Sequence, residues 1–506
     1  MGSDSRQRNR NNTKQLIANY NTNQMIKALM PVLFFISLAL GDTFNGITLF
    51  SVIDNNGPGD NYYSLLIDNE KNEIKRWTHP RGAASMPYLL PDSTLLYPYR
   101  VQNPSMSAGG VGGGISKYLW NGQLLWNYEI ANETYQLHHD IEPLPNGNIL
   151  VLAWERKTAN EAFGIGRQTI DNPLNEMWSE AILELELVGS NNANIVWEWH
   201  LWDHLIQDID PELPNYGVVA DHPELQDINY GNVGSMSDPL GPNGDWKHLN
   251  SIDYNEELDQ IIISSRHHDE IYIIDHSTTT EEAASNYGGN SGKGGNYLYR
   301  WGNPQTYGRG DESNQLLSVQ HGVNWIQKGF PGSGNIIIYN NEHWMGTSAV
   351  YEIIPPINES GNYDILDDEP FGPININWLH TGNFHSLIQG GAFRLSNGNT
   401  LITATDNAYI FEVTIGNEIV WEYNFGSGDE LIARAQKYPT YYLNGIFSEY
   451  NIGDINFDGN YSLMDILIIM EMLQENDYPP TPPADLNQNG MIDKKDVQTL
   501  INNIIN

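Results

Sequence analysis

The chain has 506 residues, 25 Lys and Arg against 63 Asp and Glu for a net charge of −38, 11% aromatic residues and no cysteine. The aromatic content excludes a mostly disordered polymer, and the acidity excludes nucleic-acid phosphates and anionic membranes as partners. Without cysteine there is neither a disulfide nor a thiol mechanism, and an anionic substrate needs a local positive pocket. In chain order, residues 1–24 are polar and rich in Asn and Arg, and residues 25–41 combine Lys27, an apolar run too short for a comfortable bilayer span and the small-residue end Ala39-Leu40-Gly41. Residues 1–41 therefore read as an N-terminal extension and a signal peptide initiated at Met25. Its removal leaves no membrane span, and export places the chain outside the cell, on its surface or in a periplasm.

From residue 42 to residue 450 the texture is that of short alternating strands. One repeat places His139 in Leu137-His138-His139-Asp140-Ile141, His248 in Trp246-Lys247-His248-Leu249-Asn250, and His321 in Val319-Gln320-His321-Gly322-Val323. Each histidine stands seven residues before a turn residue (Asn146, Asn255, Lys328), and an apolar strand follows. Two further copies put Ser85 before Asp92 and Gly390 before Asn397, so the scaffold does not require histidine there. A second repeat ends an outer strand in tryptophan, at Trp77, Trp126, Trp197, Trp301, Trp378 and Trp421. Six such strands, five preceded by an inner hairpin, predict an all-β, six-bladed propeller of four antiparallel strands per blade. Residues 433–447 are available to supply the sixth hairpin and close the ring. The long connections 155–182 and 201–245 are expected to shape the mouth, and the tryptophans to pack between blades.

In a propeller, the second strand of a blade returns to the face where the first begins. Arg266, which closes the run Ile261-Ile262-Ile263-Ser264-Ser265-Arg266, therefore comes back near His248. A guanidinium offers fixed donors to a tetrahedral oxyanion, and neutral histidines around it serve as nucleophile, acid and base, which suits sulfuryl or phosphoryl transfer. Strand alternation sends His138 away from His139 into a supporting or outward position. His267 and His268 read as supporting or surface residues.

The stretch Asp245-Trp246-Lys247-His248-Leu249-Asn250-Ser251-Ile252, the 18-residue step to Arg266, His138-His139-Asp140 and Gln320-His321-Gly322 together resemble the aryl-sulfate sulfotransferases, over roughly residues 45 to 447. That resemblance implies a six-bladed propeller that moves a sulfuryl group from a phenolic sulfate donor to a phenolic acceptor. Transfer in that family is ping-pong, uses no nucleotide sulfate and passes through a sulfohistidine. By the resemblance His321 is the nucleophile, and Arg266, His248 and His139 surround the sulfuryl, leaving and accepting oxygens. One of His139 and His248 is then the general acid and base. Two other readings use the same residues: a metal-dependent enzyme with the three histidines as iron or zinc ligands, which Arg266 opposes, and a non-enzymatic propeller that binds carbohydrate or sulfated polymer.

Residues 451–506 change texture to two calcium-loop patterns, each followed by helical periodicity. The first loop offers Asp454, Asn456, Asp458, Asn460, Ser462 and Asp465, and the second Asp485, Asn487, Asn489, Met491, Asp493 and Asp496. Gly459 and Gly490 take the sharp turn at position six, and both loops end in Asp where the usual form has a bidentate Glu. Helices are expected over 465–473 and 496–505, with a proline-rich linker over 478–483. The duplicated loop-plus-helix resembles the dockerin family. That implies a small α-helical domain folded around structural calcium, docking to a cohesin-type module on a scaffold or cell surface. Leu463-Met464 and Lys494-Lys495 differ at the partner-choosing loop positions, which disfavours a two-way symmetric docking mode. No organic cofactor is expected.

Overall fold

A computed structural model describes residues 43–53, 62–236, 238–358, 360–426, 430–443, 451–473 and 482–505. The expected extension and signal peptide, and the linker up to residue 481, lie outside these. Six four-stranded antiparallel sheets follow one another around a ring. The first contains Gly46–Ile53, Tyr62–Ile67 and Glu73–His79, and the second runs from Tyr88–Leu89 through Leu95–Arg100 and Gly113–Tyr118 to Leu124–Glu129. The third comprises Tyr135–Pro143, Ile149–Thr158, Glu176–Val188 and Asn192–His200. The fourth comprises Leu249–Asn255, Gln260–Ser265, Glu270–Asp275 and Tyr299–Trp301. The fifth comprises His321–Trp325, Ile336–Trp344, Thr347–Ile353 and Trp378–Thr381, and the sixth Gly391–Arg394, Thr400–Ala404, Tyr409–Val413 and Ile419–Asn424. The fold is thus the six-bladed propeller expected, with few helices.

Position in the blade explains the hydropathy pattern. A middle strand such as Gln260–Ser265 packs against neighbouring blades on both faces and is buried throughout, so it reads as a continuous apolar run. An outermost strand such as Leu124–Glu129 has solvent on one side, and of its residues only Trp126 is buried. All six tryptophans occupy this position, and each indole N–H donates to the next blade: Trp77 to the Leu119 carbonyl (3.2 Å), Trp126 to Asn192 (2.8 Å) and Trp197 to the Thr278 hydroxyl (3.2 Å). Trp301 donates to Pro373, Trp378 to Ile415 and Trp421 to Asn69, each at 2.8 Å, which completes the circle. Their role is packing and registration between blades.

The closure differs from expectation in one respect. The innermost strand of the first blade, Leu431–Pro439, does come from the chain end, but its hairpin partner is Gly46–Ile53, paired from Gly46 opposite Pro439 to Ile53 opposite Leu431. One strand from each end of the propeller closes the ring, and residues 444–450 lie outside the described part. The connection 155–182 also differs. It is two long strands paired from Glu176 opposite Thr158 to Leu185 opposite Ile149, joined around a single helical turn at Ala159–Gly164. It buttresses the second connection, since Arg167 donates to the carbonyls of Ile228 (2.6 Å) and Gly231 (2.7 Å).

Helices Leu463–Met472 and Lys494–Ile505 follow the two loops near the chain end, as expected, and pack around Ile469 and Leu500. The first loop also touches the propeller. The Phe457 ring stacks on Tyr441 at 4.8 Å, and its carbonyl accepts from the Asn45 amide at 2.5 Å. Among the described residues no helix is long and apolar enough to cross a membrane.

Candidate active site

At one end of the propeller axis lies a cavity of about 560 Å³, and His139, His248, Arg266 and His321 all line it. His139 and His321 lie at breaks in strand pairing, and His248 stands just before one. The register shifts between Leu137 and Ile141, between Leu249 and Ser251, and between His321 and Asn324. Such bulges re-aim a side chain that regular pleating would send elsewhere. His139 and His248 take the same left-handed backbone, with φ of +50° and +55°, a conformation costly for a non-glycine residue and one that marks functional positions. The bulge also overrides the alternation argument for His138. Instead of facing away, it lies fully buried with its ring edge-on to His139 at 5.2 Å.

The hydrogen bonds fix which nitrogen of His321 is free. Nδ1 lies 2.9 Å from Asn341 Oδ1 and 3.0 Å from the Val319 carbonyl. The Asn341 amide nitrogen donates to the carbonyls of Ser386 and Gln389 (2.9 and 2.8 Å), so its oxygen must face the imidazole. Both partners of Nδ1 are acceptors, hence Nδ1 carries the proton and Nε2 the lone pair. Burial lowers the His321 pKa to about 3, and the Arg266 guanidinium further opposes protonation, so the ring is neutral near pH 7.

His248 follows the same logic. Its Nδ1 lies 2.5 Å from Asp245 Oδ2, and Asp245 Oδ1 accepts from the Trp154 indole at 3.2 Å. The ring stacks on His267 at 4.6 Å and meets His139 edge-on at 4.5 Å. Burial, then His267 and Arg266, hold the His248 pKa well below the usual histidine value, and burial does the same for His139. Arg266 reaches this wall because its amide donates to the His248 carbonyl at 3.1 Å. Among the described residues no carboxylate lies within ion-pair distance of its guanidinium, and its Nε is buried without a hydrogen-bond partner. An unpaired guanidinium among neutral imidazoles is a site for an anion.

The profile of the arylsulfotransferase (ASST) family matches residues 98–360, just over half of the chain. The chain belongs to the arylsulfotransferase family. The profile of the dockerin type I domain matches residues 452–505, so a dockerin follows the arylsulfotransferase propeller. No curated protein matches the chain. Among solved structures, it is similar to a protein of unknown function from Bacteroides caccae, at 12% identity over 78% of this chain and 98% of that one, with a TM-score of 0.40. It is also similar to the Cps50 (Swd1) β-propeller domain of Myceliophteria thermophila, at 9% identity over 77% and 88% of the two chains (TM-score 0.38). A third similarity is to virginiamycin B lyase from Staphylococcus aureus, at 11% identity over 75% and 88% (TM-score 0.33). Likeness of this degree says nothing about chemistry.

Sequence reasoning gave several residues of the arylsulfotransferase cavity no role. Asp245 and Asn341 hold His248 and His321, and Glu180 is bonded to His138. Gly109 and Gly110 let a backbone turn close over the imidazoles. A Cβ on Gly110, which has φ of +76°, would fall 2.0 Å from the His139 ring. The glycine-rich stretch 109–114, interrupted only by Val111, was the available signal for this close approach. The connection 201–245 does contribute to the mouth through Asn232, Ser235, Asp238 and Asn243, whereas 155–182 contributes no lining residue. His267 is exposed at the cavity and His268 is fully buried against Lys247, both supporting positions.

The three repeat-related histidines do not form a metal-binding group. Among the described residues, the His, Asp and Glu side chains whose ligand atoms lie within 4.8 Å of one another in a group of three are Asp245, His248 and His267. Within that group the two imidazoles are stacked face to face, with 28° between their planes.

Proposed function

We propose that this arylsulfotransferase carries a sulfuryl group from an aryl sulfate to a phenol through a covalent intermediate on His321 Nε2, without nucleotide sulfate. The observation that carries the reading is the combination of a neutral His321 with its lone pair fixed on Nε2 and an unpaired Arg266 guanidinium in one cavity. Nε2 attacks sulfur in line with the departing phenolate, and Arg266 stabilises charge on the sulfuryl oxygens as it redistributes. His139 and His248 face the leaving and accepting oxygens, where a proton must be given and then taken back. The covalent intermediate lets one phenol leave before the next enters, so a single cavity serves both half-reactions. The test is turnover of a chromogenic aryl sulfate with and without a phenol. Transfer should require the phenol, with little sulfate released in its absence, whereas rapid acceptor-free hydrolysis would identify a sulfatase.

The two C-terminal loops fit calcium. In the first, burial followed by the charges of Asp465 and Asp458 pushes the Asp454 pKa up to about 7, as expected of carboxylates placed near one another on a cation-binding loop. Asp465 is held in place by the amides of Ile455 (2.7 Å) and Ser462 (2.8 Å). The equivalent Asp496 accepts from the amides of Asn487 (3.1 Å) and Asp493 (2.7 Å). Asp454, Asn456, Asp458, Asn460, Ser462 and Asp465 would hold one ion, and Asp485, Asn487, Asn489, Met491, Asp493 and Asp496 the other, with Asn460 and Met491 through their carbonyls. Calcium bound there supplies folding free energy to the dockerin, which would display the propeller on a cohesin-type partner outside the cell. Chelation should abolish the helical signal of residues 452–505 while acceptor-dependent turnover stays within about twofold, because metal binding is coupled to folding of that unit alone. Parallel loss of turnover would contradict this division.

A further inference from the structure

Behind His139 lies a buried chain of groups that neither the nucleophile nor the anion site requires. His138 Nδ1 stands 2.9 Å from His139 Nδ1, and His138 Nε2 stands 2.9 Å from Glu180 Oε2. Neither the His138 nor the Glu180 side chain has any solvent exposure. The Trp154 indole stacks on His138 at 4.3 Å and 12°, and the second Glu180 oxygen accepts from the Leu249 amide at 3.0 Å, so neither group can turn. Placing a carboxyl group in the core beside two imidazoles costs stability, which a proton-handling role explains and packing alone does not. The only exit from the chain toward the cavity is His139 Nε2.

Resting on the sulfuryl-transfer reading, we infer that Glu180 and His138 are positioning residues of a proton relay that makes His139, and not His248, the general acid and base. In the loaded relay the Glu180 carboxyl O–H donates to His138 Nε2, His138 Nδ1–H donates to His139 Nδ1, and His139 carries its proton on Nε2. As the donor S–O bond breaks and the His321 N–S bond forms, the His139 Nε2 proton passes to the phenolate oxygen. The His138 Nδ1 proton then moves to His139 Nδ1, and the carboxyl proton to His138 Nε2. A neutral phenol leaves, and the Glu180 carboxylate balances the positive imidazole ring of the sulfohistidine. In the second half-reaction the accepting phenol gives its proton to His139 Nε2, its oxygen bonds to sulfur, the N–S bond breaks and Glu180 is again an acid.

Neither His138 nor His139 becomes an imidazolium in this cycle, as suits two buried rings, of which His139 also faces His248, His321 and Arg266. Burial, reinforced by the charge of Asp245 and opposed by Lys247, holds the Glu180 carboxyl well above the ordinary range and keeps the relay loaded at rest. His248, with Nδ1 on Asp245, could donate from Nε2 either as an imidazolium, which burial, His267 and Arg266 all oppose, or with a proton on Asp245, which His267 and the Trp154 indole N–H on Asp245 Oδ1 oppose.

The test is the rate of His321 labelling in single turnover with two donors, 4-nitrophenyl sulfate, whose phenolate leaves without a proton, and phenyl sulfate, whose phenolate needs one. Glu180→Gln should label within about tenfold of the wild-type rate with the first donor and at least about 100-fold more slowly with the second. Labelling by 4-nitrophenyl sulfate also reports that the variant is folded, and His138→Gln, which breaks the chain at its middle, is read the same way. Asp245→Asn should slow both donors by the same factor. Equal loss for both donors in Glu180→Gln and His138→Gln, or donor-selective loss in Asp245→Asn, would overturn the relay. Absence of labelling in the wild-type protein with either donor would instead sink the sulfuryl-transfer reading beneath it.

Discussion

Replacing His321 with alanine is expected to lower aryl-sulfate-to-phenol transfer by at least about 10⁴-fold, because a ping-pong reaction loses its only carrier. What remains, Arg266 and two imidazoles assigned to proton transfer and support, can bind a sulfate ester but lacks the imidazole that carries the sulfuryl group while the phenols exchange. Direct transfer would need both phenols in line about one sulfur atom inside a cavity of about 560 Å³. The change removes side-chain atoms and leaves the strand His321–Trp325 intact, so donor binding should survive and can be measured separately. Asn341→Leu should cost less, on the order of 10–100-fold, since it leaves the imidazole in place and removes only the acceptor that directs its proton to Nδ1. Steady-state rates at saturating donor and acceptor check both. Activity of His321→Ala near the wild-type level would mean that another group carries the sulfuryl.

Arg266→Ala is the second large effect, a loss of about 10²- to 10³-fold in kcat, the size expected when a fixed donor to transition-state charge is removed. Arg266→Lys should recover only part of this, because an ammonium keeps the charge but lacks the planar fork. The variant should be at least as stable as the wild type. Among the described residues the guanidinium has no ion pair, and its Nε is buried without a partner, so removing it relieves a desolvation penalty. Thermal unfolding beside kinetics makes the comparison: lower kcat with an unchanged or raised Tm is expected. If three histidines held a metal ion, removing a nearby cation would strengthen metal binding and preserve activity. Concurrent loss of stability and activity would assign Arg266 a structural role.

The blades were legible because outer strands alternate and inner ones do not, and because Trp77, Trp126, Trp197, Trp301, Trp378 and Trp421 mark the same edge six times. The convergence of His139, His248 and His321 was legible because a propeller points equivalent repeat positions at one axis. His138 was misread as facing away from His139, since period-two alternation holds only where pairing is regular and a three-residue register break lies between Leu137 and Ile141. The supports were not legible for different reasons. Asn341 reaches His321 from the neighbouring strand, and Glu180 stands in the mostly apolar strand Glu176–Val188 with nothing local to link it to His138. Pairing of Gly46–Ile53 with Leu431–Pro439 joins residues nearly four hundred positions apart, and either segment alone reads as an ordinary strand.

The central claim is that sulfur bonds to a nitrogen of His321 between the two half-reactions. Exposure of the intact protein to an aryl sulfate without acceptor, followed by fragmentation mass spectrometry, tests it most directly. The account predicts a single sulfuryl group on the His321 imidazole that disappears on addition of a phenol. A sulfuryl group on any other residue, or an unlabelled protein that nevertheless transfers sulfate, would contradict it.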